Sequence, residues 1–219
     1  YALCDVDHDY SGHILAGYPK AKKYTDFREM IDKEKEIDAV LIGTPDHTHA
    51  VIAAYAMKAG KHVFVEKPMA KTIYETRFLR DLAKQTGVVT QMGNQGNSGD
   101  GVRQLCEWIW NGEIGEVRKV ETFTDRPIWP QGLNAPEKVD KIPSTLNWDL
   151  FTGPAKMNPY NAIYHPWNWR GWWDYGTGAL GDMACHILHQ PFKALKLQYP
   201  TKVEGSSTLL LNACAPQAQ

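Results

Sequence analysis

The segment that decides the fold is AVLIGTPDHTHAVIAAYAMKAGKHVFVEKPMA, Ala39 to Ala70. It opens with a short apolar strand, AVLIG. HAVIAAYAMKAG then predicts a helix capped by Gly60, and HVFVE predicts a second strand. Two strands joined by a helix of this length run parallel and are connected by a right-handed crossover. The segment therefore predicts an α/β fold built on a parallel sheet.

The same alternation of strands and helices continues on both sides of this segment. YALC predicts a strand that ends at Asp5, and DFREMIDKEKEIDAV predicts a helix with Asp26 as its N-cap. IYETRFLRDLAKQTG predicts a helix, and VVTQMG a strand. We therefore expect a Rossmann-type dinucleotide-binding domain over residues 1–95. Its glycine loop would lie about 20 residues before Asp5, so the domain is expected to lack its first βα unit.

After Gly93 the pattern changes, which predicts a second domain over residues 96–219. VRQLCEWIW predicts a helix, and EVRKVETFTD (residues 116–125) predicts a half-buried strand. A long passage rich in Pro, Asn and Trp follows, up to Asp174. The chain then continues with a short helix through His186, which Pro191 should end soon afterwards, and a strand near KVEGSSTLLL. We expect an incomplete α+β domain with a mostly antiparallel sheet and long loops that form a site.

Composition excludes several classes of protein. The net charge is −1, which gives no electrostatic reason to expect nucleic acid or an anionic membrane as a partner. Apolar residues make up 43% of the chain, as in a globular protein, and no apolar run is long enough to span a membrane. The cysteines are scattered without a C-x-x-C pair, so we expect reduced thiols rather than disulfides or a zinc site; they are Cys4, Cys106, Cys185 and Cys214.

GTGALG, Gly176 to Gly181, matches the G-x-G-x-x-G pattern of a phosphate-binding loop. The match is weak because the preceding NWRGWWDY is not a buried strand and the next acid, Glu204, lies too far along the chain. We interpret these glycines as allowing the backbone to approach a ligand closely. Asp182 and His186 follow four residues apart, on one face of the predicted helix. A helix cap with a buried histidine is the structural alternative.

Three linked motifs carry a resemblance to a known family. GTPDHTHA, VEKPMA and GALGDMACH occur in the order that is typical of the Gfo/Idh/MocA family of nicotinamide-dependent oxidoreductases, and the resemblance covers essentially the whole chain. The Trp-rich stretch PWNWRGWWDYGTGALGDMACH resembles a bacterial branch that is often exported. The sequence itself leaves localisation open between an exported, periplasmic protein and a cytoplasmic one.

The resemblance implies a cofactor site at the carboxyl ends of the strands. Asp5 would contact the adenosine ribose, which favours NAD over NADP because a carboxylate repels a 2′-phosphate. The other residues would line the cleft or close over the nicotinamide, and in this family the E-K-P proline is typically cis. The implied cofactor residues are Asp5, Thr44, Pro45, His47, His49, Glu66, Lys67, Pro68, Gln91, Gly93 and Asn94.

Hydride transfer from a secondary alcohol needs a base for the hydroxyl proton. Our hypothesis makes His186 this base, with Lys67 hydrogen-bonded to the same oxygen and Asp182 orienting His186 or a neighbouring hydroxyl. The three catalytic residues would also bind substrate, together with His165, Trp167, Trp169 and Arg170, because aromatic faces pack on sugars. The tryptophans could equally fill a core or an oligomer interface.

These residues predict an NAD-dependent dehydrogenase acting on a sugar or cyclitol. The alternative is an NAD-dependent glycoside hydrolase that oxidises its substrate transiently, and a third is a binding protein on a decayed dehydrogenase fold. No metal is predicted, because Asp182, His186 and His189, like the pair His47 and His49, lack the spacing of a zinc site. The resemblance also implies a homodimer or homotetramer. Nothing in the sequence identifies the sugar.

Overall fold

Residues 1–129 and 132–206 are described by the structure, a computed structural model of the chain. Five strands and eight α-helices lie in these residues. The strands are β1 (Ala2–Cys4), β2 (Lys22–Tyr24), β3 (Ala39–Ile42), β4 (His62–Glu66) and β5 (Thr90–Gly93). The helices are α1 (Gly12–Gly17), α2 (Phe27–Lys33), α3 (Asp46–Lys58), α4 (Ile73–Thr86), α5 (Asp100–Trp110), α6 (Trp148–Thr152), α7 (Gly178–Ile187) and α8 (His189–Ala194).

Every pairing between these strands is parallel, which confirms the predicted α/β fold. β1 pairs with β2, and β3, β4 and β5 form a second sheet in that order. The register places Ile42 opposite Val65 and Glu66 opposite Gly93, so the carboxyl ends of β3, β4 and β5 lie side by side. One edge of β1 and one edge of β3 have no partner strand among the described residues.

The main core lies on one face of the second sheet. Val40, Ile42, Val63 and Val65 point to this face, as expected from the period of two in a strand, and α3 and α4 cover it. Leu41 points to the opposite face and is 74% exposed. Burial of aliphatic side chains on this single face therefore holds α3 and α4 against the sheet.

Side-chain caps fix where several helices begin and end. Asp26 caps α2 as predicted, because its Oδ1 accepts a hydrogen bond from the Arg28 N–H at 2.9 Å. Thr72 and Glu75 form a reciprocal capping box at the start of α4, and Gly87 ends that helix with a φ of 69°. α3 begins at Asp46, three residues before the predicted helix, so both histidines of the T-P-D-H-T-H motif lie in its first turns.

The second half of the chain differs from the sequence prediction in its strands. The strand predicted over residues 116–125 does not form, and Phe123 is 88% exposed. The physical reason is that no strand of residues 96–129 or 132–206 lies alongside to pair with it. Of the strand predicted near KVEGSSTLLL, residues 202–206 have no regular structure, and 207–211 lie outside the described residues, as does Cys214.

An aromatic core takes the place of a sheet in this half. Trp148 stacks on Phe151 and meets Tyr160 edge-on, and Tyr175 is fully buried beside them. α7 ends at Ile187, and Pro191 lies in the first turn of α8, where its missing N–H costs nothing. Among the described residues, no helix combines the length and apolar character needed to cross a membrane.

Candidate active site

Polar side chains from both halves meet beyond the carboxyl end of β4. Lys67 directly follows this strand, and its Nζ donates a hydrogen bond to Oδ1 of Asp182 on α7 at 2.8 Å. The same ammonium donates to the backbone carbonyl of Asp182 at 3.1 Å. Both side chains are 15% exposed, so the ion pair is shielded from bulk water yet reachable from the surface. The fold thus joins two of the three predicted catalytic residues directly.

His186 lies one turn further along α7 than Asp182, on the same face of the helix. Partial burial lowers the pKa of His186, and the nearby Lys67 ammonium lowers it further, whereas Asp182 acts in the opposite direction. The imidazole is therefore held neutral near pH 7, with one ring nitrogen able to accept a proton. In this structure the partner of Asp182 is Lys67, so Asp182 orients the ammonium.

A buried link that sequence reasoning missed ties α7 to α3. Oδ2 of Asp46 accepts hydrogen bonds from both the backbone N–H of Thr177, at 3.1 Å, and its Oγ1, at 2.7 Å. Burial raises the pKa of Asp46, and the Thr177 hydrogen bond opposes that shift. Thr177 immediately precedes α7, so this carboxylate fixes where the helix carrying Asp182 begins. Only the position of Asp46 inside T-P-D-H-T-H could have signalled its role.

The two predicted cleft histidines have their ring nitrogens occupied by backbone carbonyls. His47 lies between the carbonyls of Phe151, at 2.7 Å, and Tyr175, at 3.1 Å. Burial lowers the pKa of His47 to about 4, so this ring is neutral. His49 lies between the carbonyls of Thr44 and Pro68, each at 2.7 Å. Both rings are buried, so they contribute to the architecture of the site.

The glycines of GTGALG are explained by protein packing. A Cβ at Gly176 would overlap the backbone of Arg170, and one at Gly181 would overlap the Thr177 side chain. Gly178 has a φ of 66°, in the left-handed region that favours glycine. The expected close approach to a ligand is therefore wrong at Gly176 and Gly181, because the space beside them is filled by this chain's own atoms, which also argues against a phosphate loop.

Four of the predicted cofactor residues line one cavity of about 640 Å³; they are Glu66, Gln91, Gly93 and Asn94. The Glu66 carboxylate packs on Gly93, where any Cβ would lie 2.7 Å from its Oε1. The Oδ1 atom of Asn94 is buried and has no hydrogen-bond partner among the described residues. Buried acceptors of this kind are normally satisfied, so the cavity wall suits a ligand that offers N–H or O–H donors.

Asp5 lies at the carboxyl end of β1 and is partly buried. Its Oδ1 accepts a hydrogen bond from the Asp7 N–H at 2.8 Å, and burial raises the pKa of its carboxyl. Hydrogen bonds from the backbone N–H groups of Asp7 and Val6 to this carboxylate oppose that shift. The carboxylate of Asp5 and Oδ1 of Asn94 are both hydrogen-bond acceptors. Acceptors fit a nicotinamide dinucleotide, whose ribose and carboxamide groups supply donors.

The predicted substrate residues separate into two groups. The guanidinium of Arg170 lies over the rings of Trp167 and Trp169, at 3.9 and 4.3 Å from their centroids. Trp169 belongs to the aromatic core, whereas Trp167 is 44% exposed. Burial lowers the pKa of Arg170, with Asp182 among the groups that oppose the shift. His165 instead lies 3.6 Å from the buried carboxylate of Asp7.

Within residues 1–129 and 132–206, no three His, Cys, Asp or Glu side chains lie together in a way that could hold a metal ion. His189, considered above beside Asp182 and His186, donates a hydrogen bond from Nδ1 to the carbonyl oxygen of His186, 3.1 Å away. Its Nε2 is buried and has no partner among the described residues.

Two family models match the chain. A model of an oxidoreductase family with an NAD-binding Rossmann fold, GFO_IDH_MocA, matches residues 2–94. A model of the C-terminal alpha/beta domain of an oxidoreductase family matches residues 110–208. The chain is 29% identical to levoglucosan dehydrogenase of Pseudarthrobacter phenanthrenivorans, over 75% of this chain and 34% of that protein.

Two further proteins are similar to the chain. Glycosyl hydrolase family 109 protein 1 of Shewanella is 32% identical over 53% of this chain and 27% of its own length. The crystal structure of an NAD binding oxidoreductase from Klebsiella pneumoniae has a TM-score of 0.55 and 27% identity, over 88% of this chain and 43% of that one. The chain spans about a third of the length of the first curated relatives it matches.

Proposed function

The chain belongs to the Gfo/Idh/MocA family of NAD-binding oxidoreductases, and on this premise we propose that it carries the active site of an NAD-dependent dehydrogenase. The proposed substrate is a secondary alcohol of a sugar or cyclitol. The observation that carries the proposal is the partly buried contact of Lys67 with Asp182, with the neutral imidazole of His186 one helical turn away. An ammonium beside a neutral imidazole supplies a hydrogen-bond donor and a proton acceptor in one place.

The chain's own residues then have distinct tasks. His186 accepts the proton of the substrate hydroxyl, since its pKa is lowered and the neutral ring is available as a base. Lys67 donates a hydrogen bond to the same oxygen and stabilises the negative charge that develops there. Asp182 orients Lys67 by accepting a hydrogen bond from its Nζ. When bound, the nicotinamide supplies the acceptor for the hydride.

The direct test is turnover by the purified protein with NAD and a panel of sugars and cyclitols, followed through the absorbance of reduced nicotinamide. Lys67→Met and His186→Asn should each lower kcat by about 10²- to 10⁴-fold while leaving the Kd for NAD within about twofold. Lys20→Met and His13→Asn change exposed side chains and should behave as wild type. Full turnover by His186→Asn with cofactor binding intact would overturn the assignment of the base.

A second candidate is a redox-neutral glycoside hydrolase that uses the same residues. The similarity to the Shewanella protein named as a glycosyl hydrolase supports this candidate. Here, transient oxidation of the substrate would be followed by elimination, addition of water and reduction. The two activities differ in their products. Reduced nicotinamide that accumulates in proportion to substrate supports the dehydrogenase, whereas glycoside cleavage without such accumulation supports the hydrolase.

Two further features belong to the same proposal. Asp5 should make the protein prefer NAD to NADP, because its carboxylate would lie against a 2′-phosphate; comparing the Kd of the two dinucleotides by titration calorimetry measures this directly. We also propose a homodimer or homotetramer, to be measured by light scattering coupled to size exclusion.

A further inference from the structure

Arg170 is held against both segments of the candidate active site. Its backbone packs on Gly176, where a Cβ would lie 2.2 Å from the Arg170 carbonyl oxygen, and α7 begins shortly after this glycine. The carbonyl of Trp173, in the same stretch of chain, accepts a hydrogen bond from Nζ of Lys71. Lys71 belongs to the loop that carries Lys67. The turn that bears Arg170 is therefore fixed between the loop of Lys67 and the start of α7.

Two indole rings stack on the guanidinium of Arg170. Its Cζ lies 3.9 Å from the ring centroid of Trp167 and 4.3 Å from that of Trp169, whose side chain is buried. In the part of the chain that the structure describes, its side chain makes a single hydrogen bond, to the carbonyl of Trp167 at 3.2 Å. Stacking engages the faces of a guanidinium, whereas its N–H groups point outwards in the plane of the group. The other N–H groups of Arg170 therefore form an edge that can bind a ligand.

No carboxylate of the described residues lies within ion-pair distance of Arg170. The carboxylates that act on its charge are Asp182 and Asp46. Lys67 already binds the first of these, and Thr177 binds the second. Partial burial removes part of the hydration of the guanidinium and so lowers the pKa of Arg170. A cation in this position gains from an anion that approaches its free edge.

The chemistry of this edge favours a carboxylate over a phosphate. A guanidinium offers parallel N–H groups that match the two oxygens of a carboxylate in one plane. The single negative charge of a carboxylate is balanced by Arg170 alone. A phosphate monoester carries a charge of about −1.5 to −2 at neutral pH, and the excess would face the carboxylates of Asp182 and Asp46. Lys67 is not free to offset it, because its ammonium is paired with Asp182.

We propose that Arg170 determines specificity by binding the carboxylate of a uronic acid, so that the substrate of this site is a carboxylated sugar and not a neutral one. The part of this proposal that concerns turnover rests on the dehydrogenase function proposed above. The part that concerns binding of the carboxylate does not depend on any reaction.

Specificity is tested by measuring kcat/KM with NAD for D-glucuronate, D-galacturonate and D-mannuronate, each against its neutral parent hexose. We expect the wild type to prefer at least one uronate over its parent by about tenfold or more. Arg170→Met should lower kcat/KM for that uronate about 10- to 100-fold and leave the parent hexose within about threefold. Arg170→Lys keeps a positive charge without the planar fork, so it should lose about tenfold on the uronate and serves if Arg170→Met does not fold. Arg77→Met, at an exposed arginine of α4, is the matched control and should behave as wild type.

The outcomes that overturn the proposal are equally definite. A wild type that prefers the neutral hexoses contradicts it, as does an equal loss on both classes of sugar in the Arg170 variants. A control variant that loses as much as Arg170→Met would also contradict it, because the effect would then come from overall charge and not from this site.

Binding without turnover is measured by titration calorimetry on the protein with NADH, which cannot accept a hydride. The uronates should bind more tightly than their parent hexoses and more tightly than D-glucose 6-phosphate, and Arg170→Met should weaken uronate binding about 10- to 100-fold. Tighter binding of the phosphate or of the neutral sugars, or no uronate binding at all, overturns the proposal. Uronates that bind through Arg170 without any turnover would refute the proposed function alone, whereas turnover of neutral sugars without uronate binding would refute this inference alone.

Discussion

Replacing Thr177 with valine measures how much the hydrogen bond from the Thr177 hydroxyl to Asp46 contributes to the free energy of unfolding, separately from side-chain packing. Valine keeps the shape of threonine but removes the hydroxyl that donates to Asp46 Oδ2 at 2.7 Å. The backbone N–H of residue 177 still donates to the same oxygen at 3.1 Å. A hydrogen bond to a charged group contributes about 1.5–3 kcal/mol. Since Asp46 is only 4% exposed, water cannot replace the lost donor. We expect Thr177→Val to lower the free energy of unfolding by about 2 kcal/mol near pH 7.

The loss should depend on pH in a definite direction. Burial raises the pKa of Asp46, so the folded state favours the protonated carboxyl, and the stability from this group declines as pH rises from its unfolded pKa of about 4 through the raised folded pKa. The Thr177 hydroxyl counters that decline by stabilising the carboxylate. In acid, where Asp46 is protonated, the bond is an ordinary one of about 1 kcal/mol. The destabilisation by Thr177→Val should therefore be smaller in acid than at neutral pH.

Urea denaturation followed by tryptophan fluorescence measures the loss in free energy of unfolding both near pH 7 and in acid. Thr76→Val is the matched control, because its hydroxyl donates to a backbone carbonyl on the exposed side of α4 and should contribute less than about 0.5 kcal/mol. An equal loss for Thr177→Val at both pH values, or a loss near zero at neutral pH, would refute the reasoning.

Three other expectations follow from the geometry. Hydrogen bonds from a lysine and two tyrosines hold the pKa of the buried Glu34 at about 2. The stability that this carboxylate contributes is therefore present above its unfolded pKa of about 4.3 and is lost as pH falls from that value through the folded pKa. Glu34→Gln should flatten the dependence of the free energy of unfolding on pH in this acid range. Gly176→Ala should destabilise by about 1–3 kcal/mol, because its Cβ meets the Arg170 backbone, whereas Gly17→Ala has open space and should be neutral or slightly stabilising by thermal denaturation. Asp5→Asn should raise the Kd for NAD about tenfold by calorimetry, since it loses a charged acceptor; an unchanged Kd would remove Asp5 from the site.

Local patterns in the sequence predicted most of the first domain. Asp26 predicted a helix start because its side chain acts on a backbone N–H two residues away, and Gly87 marks a helix end by its own conformation. The short strand Lys22–Tyr24 was missed, since KKY carries little apolar signal and the strand depends on its pairing with β1. The strand over residues 116–125 was predicted wrongly for the converse reason: its composition favours a strand, but the part of the chain that the structure describes offers no neighbouring strand to pair with it.

The site was predictable only where it coincides with a motif. That Lys67 and Asp182 belong to one site was expected from motif order, although the residues are separated by 115 positions. Their direct pairing was not expected, because Asp182 was assigned to His186 or a neighbouring hydroxyl. The role of Thr177 could not be read from the sequence, because nothing near it indicates a partner on α3. His49 carries a motif signal, but its two carbonyl partners depend on backbone positions that no composition or spacing specifies.

The placement of His47 has a consequence for how molecules enter and leave. Its neutral ring and its backbone N–H together bind the Phe151 and Tyr175 carbonyls, which belong to the other half of the chain. If the two halves moved apart, these hydrogen bonds would break inside a buried region where water could not replace them. We therefore expect the two halves to keep these hydrogen bonds when small molecules enter or leave the cavity that Gln95, Asn97 and Ser98 help to line.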